Sequence, residues 1–186
     1  ASDVYKRQDQ GNNNGHTAIA PIQPETIKKP EAKQAIDEVA KAKKDLIDQT
    51  PNATKEEKDA AKSKVDEEVT KEKKEIDQAS TNSDVDQVKD KGTNGINSVV
   101  VEVVKKDAAK KAIDELVKAK KSEIDNNHNA TREEKDSAKS KVDEEAKKAK
   151  DNIDKGATNN DVDQAKNSSS NIIKKIQPDT TKKTVV

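Results

Sequence analysis

The sequence contains no cysteine, methionine, tryptophan or phenylalanine, and its one tyrosine is Tyr5. Without cysteine there is no disulfide and no thiolate metal site, and His16 and His128 leave little for a zinc centre. Aromatics make up 1% and all hydrophobic residues 28%, against about 45–50% apolar residues in an ordinary globular domain. That shortage speaks against a compact enzyme, whose pocket needs apolar walls around a few converging polar groups. No run approaches the roughly 20 apolar residues that a membrane-spanning helix requires. A surplus of one charge is missing too. The 37 Lys+Arg and 37 Asp+Glu balance to +0, whereas a nucleic-acid binder carries a basic excess on one face. What the chain has in abundance is charge itself, at 40% of 186 residues.

The ends stand apart from the rest. Ala1–Gln10 lacks the apolar stretch of a secretory signal, and Ser2–Gln8 shares nothing with the remainder of the chain. Residues 1–10 are read as a leader that is either foreign to the chain or disordered, which sets Tyr5 aside. The sequence stops at Thr184-Val185-Val186 in mid-pattern.

An internal repeat dominates everything between. Ala35-Ile36-Asp37-Glu38 recurs as Ala112-Ile113-Asp114-Glu115, an offset of 77 residues. At the same offset Asn52-Ala53-Thr54 returns as Asn129-Ala130-Thr131, and Lys62–Glu68 as Lys139–Glu145. Asp84-Val85-Asp86-Gln87 returns as Asp161-Val162-Asp163-Gln164, with no insertion or deletion between. Ile22-Gln23-Pro24 lies two periods before Ile176-Gln177-Pro178, and Gly15 and Ile19 fall in register with Gly92 and Ile96. The sequence therefore divides into a repeat tail at 11–21, full repeats at 22–98 and 99–175, and a repeat head at 176–186. It reads as a slice of a longer array.

Each repeat should form three helices. Ala32, Ala35, Ile36, Val39, Leu46 and Ile47 recur at three- and four-residue steps, and Pro51 ends that helix. Thr54 with Glu57, repeated by Thr131 with Glu134, makes a capping box for the second. Its stripe is Ala61, Val65, Val69 and Ile76. Ser83, or Asn160 in the second copy, can cap the third helix, with Asp84 and Asp86 near its positive end. Val85, Val88, Ile96 and Val99 form its stripe, weakened by Gly92 and Gly95. Acid-first pairs four residues apart, such as Asp37 with Lys41, Asp114 with Lys118, Glu67 with Lys71 and Glu144 with Lys148, should support the exposed faces. Pro21, Pro24 and Pro30 punctuate the first junction. The middle one, from Ile96 to Ala112, has no proline, and its Val99–Val104 run admits either a helical or a tightly packed connection. The expected class is all-α: tandem three-helix bundles forming an elongated, fairly stiff rod.

No motif assembles a reaction. Asn52-Ala53-Thr54, Asn129-Ala130-Thr131 and Asn167-Ser168-Ser169 fit the N-glycosylation pattern, yet Thr54 and Thr131 already serve as caps. Asp84, Asp86, Asp161 and Asp163 lack the glycine turn and distal glutamate of a calcium loop, so they read as helix-start acids. His128 stands where the first copy has Pro51, and neither it nor His16 has a repeated partner. No catalytic, cofactor or metal residue is assigned.

The repeat resembles the DUF1542 repeat of Gram-positive, chiefly staphylococcal, cell-surface proteins, including Ebh-type extracellular-matrix-binding adhesins and SasC-like proteins. The residues that carry the resemblance are Ala35-Ile36, Lys43-Lys44, Ile47, Asn52-Ala53-Thr54, Glu56-Glu57-Lys58, Ile76-Asp77, Ala79, Val85 and Ile22-Gln23-Pro24. The second copy repeats most of them through Ile113, Ile124, Thr131, Glu133, Glu134, Lys135, Ile153 and Val162. The proline-free middle junction departs from the family's pattern. The resemblance implies long, surface-displayed or wall-attached proteins linked to adhesion, cell aggregation and, in some members, antibiotic resistance. It implies an extracellular setting, with host matrix proteins or neighbouring bacterial cells as partners. The absence of a signal peptide and of an LPxTG sorting motif is what an internal fragment would show.

The leading expectation is thus a non-enzymatic, monomeric stalk or adhesin segment without cofactor or nucleic-acid partner. One alternative is an amphipathic stress-protective or lipid-surface protein, disordered until bound. Such chains repeat at shorter periods and need a wider apolar face, whereas this one repeats its loops as well as its helices. The other alternative is a peptidoglycan-binding module.

Overall fold

A computed structural model describes residues 26–184. The leader at 1–10, the repeat tail at 11–21, His16 and the Ile22-Gln23-Pro24 motif lie outside the described residues. Helices α1 (Lys28–Asp48), α2 (Lys55–Gln78) and α3 (Asn82–Asn97) form one unit. Helices α4 (Lys105–Asp125), α5 (Arg132–Lys155) and α6 (Asn159–Lys175) form the next, and α7 (Thr181–Thr184) comes after them. Within each unit every helix packs against the other two, so the all-α, tandem three-helix architecture holds.

The caps agree with the sequence, with one correction. Thr54 and Thr131 each accept a backbone N–H through the side chain while Glu57 and Glu134 return a carboxylate to the cap, closing both capping boxes. The third helix of each unit is capped two residues earlier than expected, by Thr81 and Thr158 rather than Ser83 and Asn160. Thr81 and Thr158 hold the extended backbone a cap needs, while Ser83 and Asn160 already lie in the first helical turn. Pro30 also sits inside a helix, in the first turn of α1, where its missing N–H would have found no partner anyway. Asn52 turns the chain after α1 with φ 64°, a left-handed conformation that Asn tolerates.

The cores are thin. Ile36, Ile47, Val65, Ile76, Val85 and Ile96 fill the first, and Ile113, Ile124, Val142, Ile153, Val162 and Ile173 the second. Each such side chain contributes about 1.5–3 kcal/mol. Leu46, expected on the buried stripe, is 62% exposed; Ile47 beside it takes the core position, as one residue of rotation on the helix decides.

Outside the core runs a lattice of cross-helix ion pairs. The expected pairing of Asp37 with Lys41 gives way to Asp37 with Lys73 of α2, at 2.7 Å. In the second unit Asp114 pairs with Lys150 of α5. The contacts of Lys28 with Asp86, Lys33 with Asp77, Lys44 with Asp66 and Lys62 with Asp48 recur 77 residues on as Lys105 with Asp163, Lys110 with Asp154, Lys121 with Asp143 and Lys139 with Asp125. Exposed pairs of this kind contribute little individually. As a repeated set they fix which helix faces meet. The charges do not all stay outside, however: Lys106, Lys120 and Glu72 are buried. Lys106 and Lys120 donate to the C-terminal carbonyls of Asp154 and Lys174, at 2.7 and 2.8 Å.

The middle junction is packed, and it is not helical. Ser98–Val104 leaves the helix after Asn97, and Val99, Val101 and Val103 are half-buried while Val100, Glu102 and Val104 are exposed. This period of two is that of extended backbone, the conformation β-branched residues favour. Val99 and Val101 close over the first core.

Candidate functional site

The residues that converge outside the two cores do so where the units meet. In each unit the chain comes in at one end and leaves at the other, because α1 and α3 run alongside each other and α2 runs back between them. Lys28 at the start of α1 meets Asp86 at the start of α3, while Lys43 late in α1 donates to the carbonyl of Asn97, at 3.0 Å. The start of α2 therefore lies at the exit end of the first unit. There it meets the entrance end of the second, formed by the start of α4 and the α5–α6 turn.

Helix α2 begins with the sequence Lys55-Glu56-Glu57, and each residue makes one part of the joint. Lys55 donates its backbone N–H to the carbonyl of Ala157 at 2.9 Å. The Glu56 carboxylate accepts the N–H of Asn159 at 2.8 Å. Glu57 acts on both units at once. One oxygen accepts the N–H of its own cap Thr54 at 3.0 Å, and the other accepts those of Val104 and Lys105 at 2.7 and 3.1 Å. Burial pushes this carboxyl's pKa up, but the N–H groups of Thr54, Val104 and Lys105 outweigh it and hold the group below its ordinary value. The N–H groups of Val104, Lys105 and Asn159 belong to helix starts, which lack intrahelical acceptors, so Glu56 and Glu57 supply what the second unit's own helices cannot.

Lysines 55, 58, 62, 106 and 155 line a groove of about 480 Å³ beside this joint. Asp48 and Asp59 share it and already pair with Lys62 and Lys55. Asn159 Oδ1 is buried without a hydrogen-bond partner, and Asn159 borders a separate groove with Glu56, Glu57 and Val104.

The positions singled out in the sequence are spread apart. Thr54 caps α2 at the joint, whereas Thr131 caps α5 at the far end of the second unit. Asn167-Ser168-Ser169 lies within α6, with Ser169 buried. Asp86 and Asp163 are ion-pair partners of Lys28 and Lys105, which hold both carboxyls below their ordinary pKa. Asp84 and Asp161 sit in first helical turns beside their caps. Among the described residues no cluster of three or more His, Cys, Asp or Glu side chains could hold a metal, and no helix is long and apolar enough to cross a membrane.

Two features escaped the sequence reading. The second oxygen of Glu57 leaves no trace in a capping-box motif, because the groups that donate to it come from a different unit. Glu72, buried on α2, left a readable trace in the comparison of the two copies: Glu72 with Gly92 in the first stands against Ala149 with Ser169 in the second.

The family described as Domain of Unknown Function (DUF1542) matches the chain twice, at residues 28–104 and 105–181. These bounds begin at the first residues of α1 and α4, so each match is one helical unit with the connector that leads out of it. Comparison with curated proteins gave no match, and neither did comparison with solved structures.

Proposed function

Because the chain belongs to the DUF1542 family, we propose that it is a non-enzymatic spacer segment of a bacterial cell-surface protein. In this reading its work is mechanical. Units joined exit end to entrance end carry a distal region outward from the cell, each unit adding roughly the 30 Å that one helix of about 20 residues spans. Weak contacts with host matrix or neighbouring cells, repeated along many units, would add binding strength through multivalency.

The observation that supports this most is the joint at Glu56 and Glu57. Backbone hydrogen bonds from three helix starts and one turn cross it, which opposes folding of one unit back upon the other. Small-angle scattering of the full chain tests the reading. A cross-section the width of one bundle, with a maximum dimension near the sum of two units, is the expected result. A compact particle would overturn it.

A further inference from the structure

The connector between the two units is extended, and its middle is held by side chains alone. At one end the N–H of Val99 donates to the carbonyl of Ile96 at 3.2 Å, and at the other the N–H of Val104 donates to Glu57 at 2.7 Å. Between them, the backbone N–H and C=O groups of Val100, Val101, Glu102 and Val103 have no hydrogen-bond partner among the described residues. The turns within the units are different. The one after α1 doubles back at Asn52, with Ala53 and Thr54 buried. The one after α4 is closed by the Ala130 N–H on the carbonyl of Asn127 at 3.4 Å. Residues 79–81 and 156–158 are too few to present an extended stretch.

Ser98, Val100 and Glu102 point outward in alternation, and Val100 is 70% exposed. Val99 and Val101 pack on the first core, but they can lift from it without any helix unfolding, because no ladder of backbone bonds ties the segment down. The matching connector 77 residues on, Ile176-Gln177-Pro178-Asp179-Thr180, has Gln177 in the place of Val100 and a buried Pro178 in that of Val101. Pro24 holds the same place one period earlier. Proline has no N–H to offer a pairing strand, so both counterparts carry a block that the middle connector lacks.

An open, extended segment of this kind is what a protease binds: backbone groups pair with the enzyme as an added strand, and the side chain before the scissile bond fills its specificity pocket. Val100 meets both needs. Val104 is also exposed, but its N–H is held by Glu57 and its carbonyl accepts the N–H of Ala108 at 2.9 Å. The pocket that fits valine is small and apolar, as in elastase-type serine proteases. No lysine or arginine lies between Lys91 and Lys105 to serve a trypsin-type pocket.

We propose that the Val100–Val101 bond is a processing site for a serine protease with a small apolar specificity pocket. The reaction is hydrolysis. The C–N bond breaks, the hydroxyl of one water goes to the Val100 carbonyl carbon and its proton to the Val101 nitrogen, leaving a carboxylate and an amine. The cut removes Val101 from the first core and ends the covalent link between the units. Their joint at Lys55, Glu56 and Glu57 then loses the effective concentration that the connector supplied. The inference needs only the connector, and holds whether or not the chain works as a spacer.

Digestion of the full chain with elastase in native buffer, followed by intact mass and amino-terminal sequencing, tests this. The first cut between Lys28 and Lys175 should create a new amino terminus at Val101. Val101→Pro should abolish that cut with helicity unchanged, since the second connector already seats Pro178 at this position and the N–H it removes has no partner. Val100→Gln, the residue of the second connector, should slow it by about tenfold or more. Low urea concentrations that leave both units folded should change the rate little, because access needs only local opening. A first cut within a helix or another turn would overturn the proposal. So would either variant cut at the connector as fast as the parent chain, or a connector cut only where urea unfolds the first unit.

Discussion

The two units share a backbone plan and differ at its centre. In the first, Glu72 of α2 is fully buried, and both of its carboxylate oxygens lack a hydrogen-bond partner. It fits because α3 carries Gly92 opposite: a Cβ there would lie 2.7 Å from Glu72 Cγ and 2.9 Å from Ile36 Cδ1. The second unit places Ala149 and Ser169 at these positions, both buried. One copy thus sets a long side chain against no side chain, and the other sets two small ones together. The neighbouring pair lies at the surface and is free of this constraint: Glu68 lies over Gly95 in the first unit, while the second keeps Glu145 and has Ile172, which is 49% exposed. The lesson is that a thin core constrains the sum of two facing side chains more tightly than either one.

The strongest way to break this comparison is to move half of one solution into the other unit. Ala149→Glu would force a carboxylate against Ser169 with no notch to receive it. Overpacking and burial of an unpaired charge together should cost about 3–5 kcal/mol and unfold the second unit first. Adding Ser169→Gly restores the notch and should recover more than half of that loss. Urea unfolding with hydrogen exchange resolved by unit reads both effects. If the double variant is as unstable as Ala149→Glu alone, positions 149 and 169 are not a coupled pair.

Much of this molecule is legible in its sequence, because the repeat shows every pattern twice. The three helices, the boxes at Thr54 and Thr131, and the core positions of Ile36 and Ile113 all arise from local spacing and capping chemistry. What local spacing does not carry is the choice among near-equivalent partners. Asp37 can reach Lys41 on its own helix, but the packing brings Lys73 closer. Leu46 and Ile47 are neighbours on a helical wheel, and only the position of α2 decides which is buried. The Val99–Val104 run satisfies a helical or an extended reading until the first core claims Val99 and Val101. The candidate site was the least legible part. Glu56 and Glu57 look like ordinary first-turn acids, and their second role depends on how one unit meets the next.

Acidity should separate the units further. Burial pushes the Glu72 carboxyl above its ordinary pKa, and Glu68 and Glu75 act in the same direction against Lys91. A carboxyl whose folded value is raised gives stability that is fully present below its unfolded value, about 4.3, and lost as pH rises through the folded value. Between those two values the first unit should therefore gain stability on mild acidification, while the second has Ala149 and no such group. Below that window both units should lose stability, because Glu57, Asp86 and Asp163 are held below their ordinary values and their contribution disappears as they protonate. Glu72→Gln should flatten the first unit's response in the upper window. An equal response of both units there would show that Glu72 is not the cause.

The smallest difference lies at the caps of the third helices. Thr158 accepts the Asp161 N–H at 3.1 Å, and the Asp161 carboxylate accepts the Thr158 N–H at 3.2 Å, so that box is closed. Thr81 accepts the Asp84 N–H at 3.0 Å, and Asp84 returns nothing to the cap. The Thr158 cap also lies between Ala157 and Asn159, the two residues through which the first unit holds the second. Thr158→Ala should accordingly cost about 1–2 kcal/mol, and Thr81→Ala nearer to about 1 kcal/mol. Asp161→Ala should reproduce part of the Thr158→Ala loss, whereas Asp84→Ala should change stability by no more than its small interaction with the helix dipole. Denaturant midpoints of the single variants give the order. Equal losses for Thr81→Ala and Thr158→Ala would mean that the returned carboxylate and the contact with the first unit add nothing to the cap.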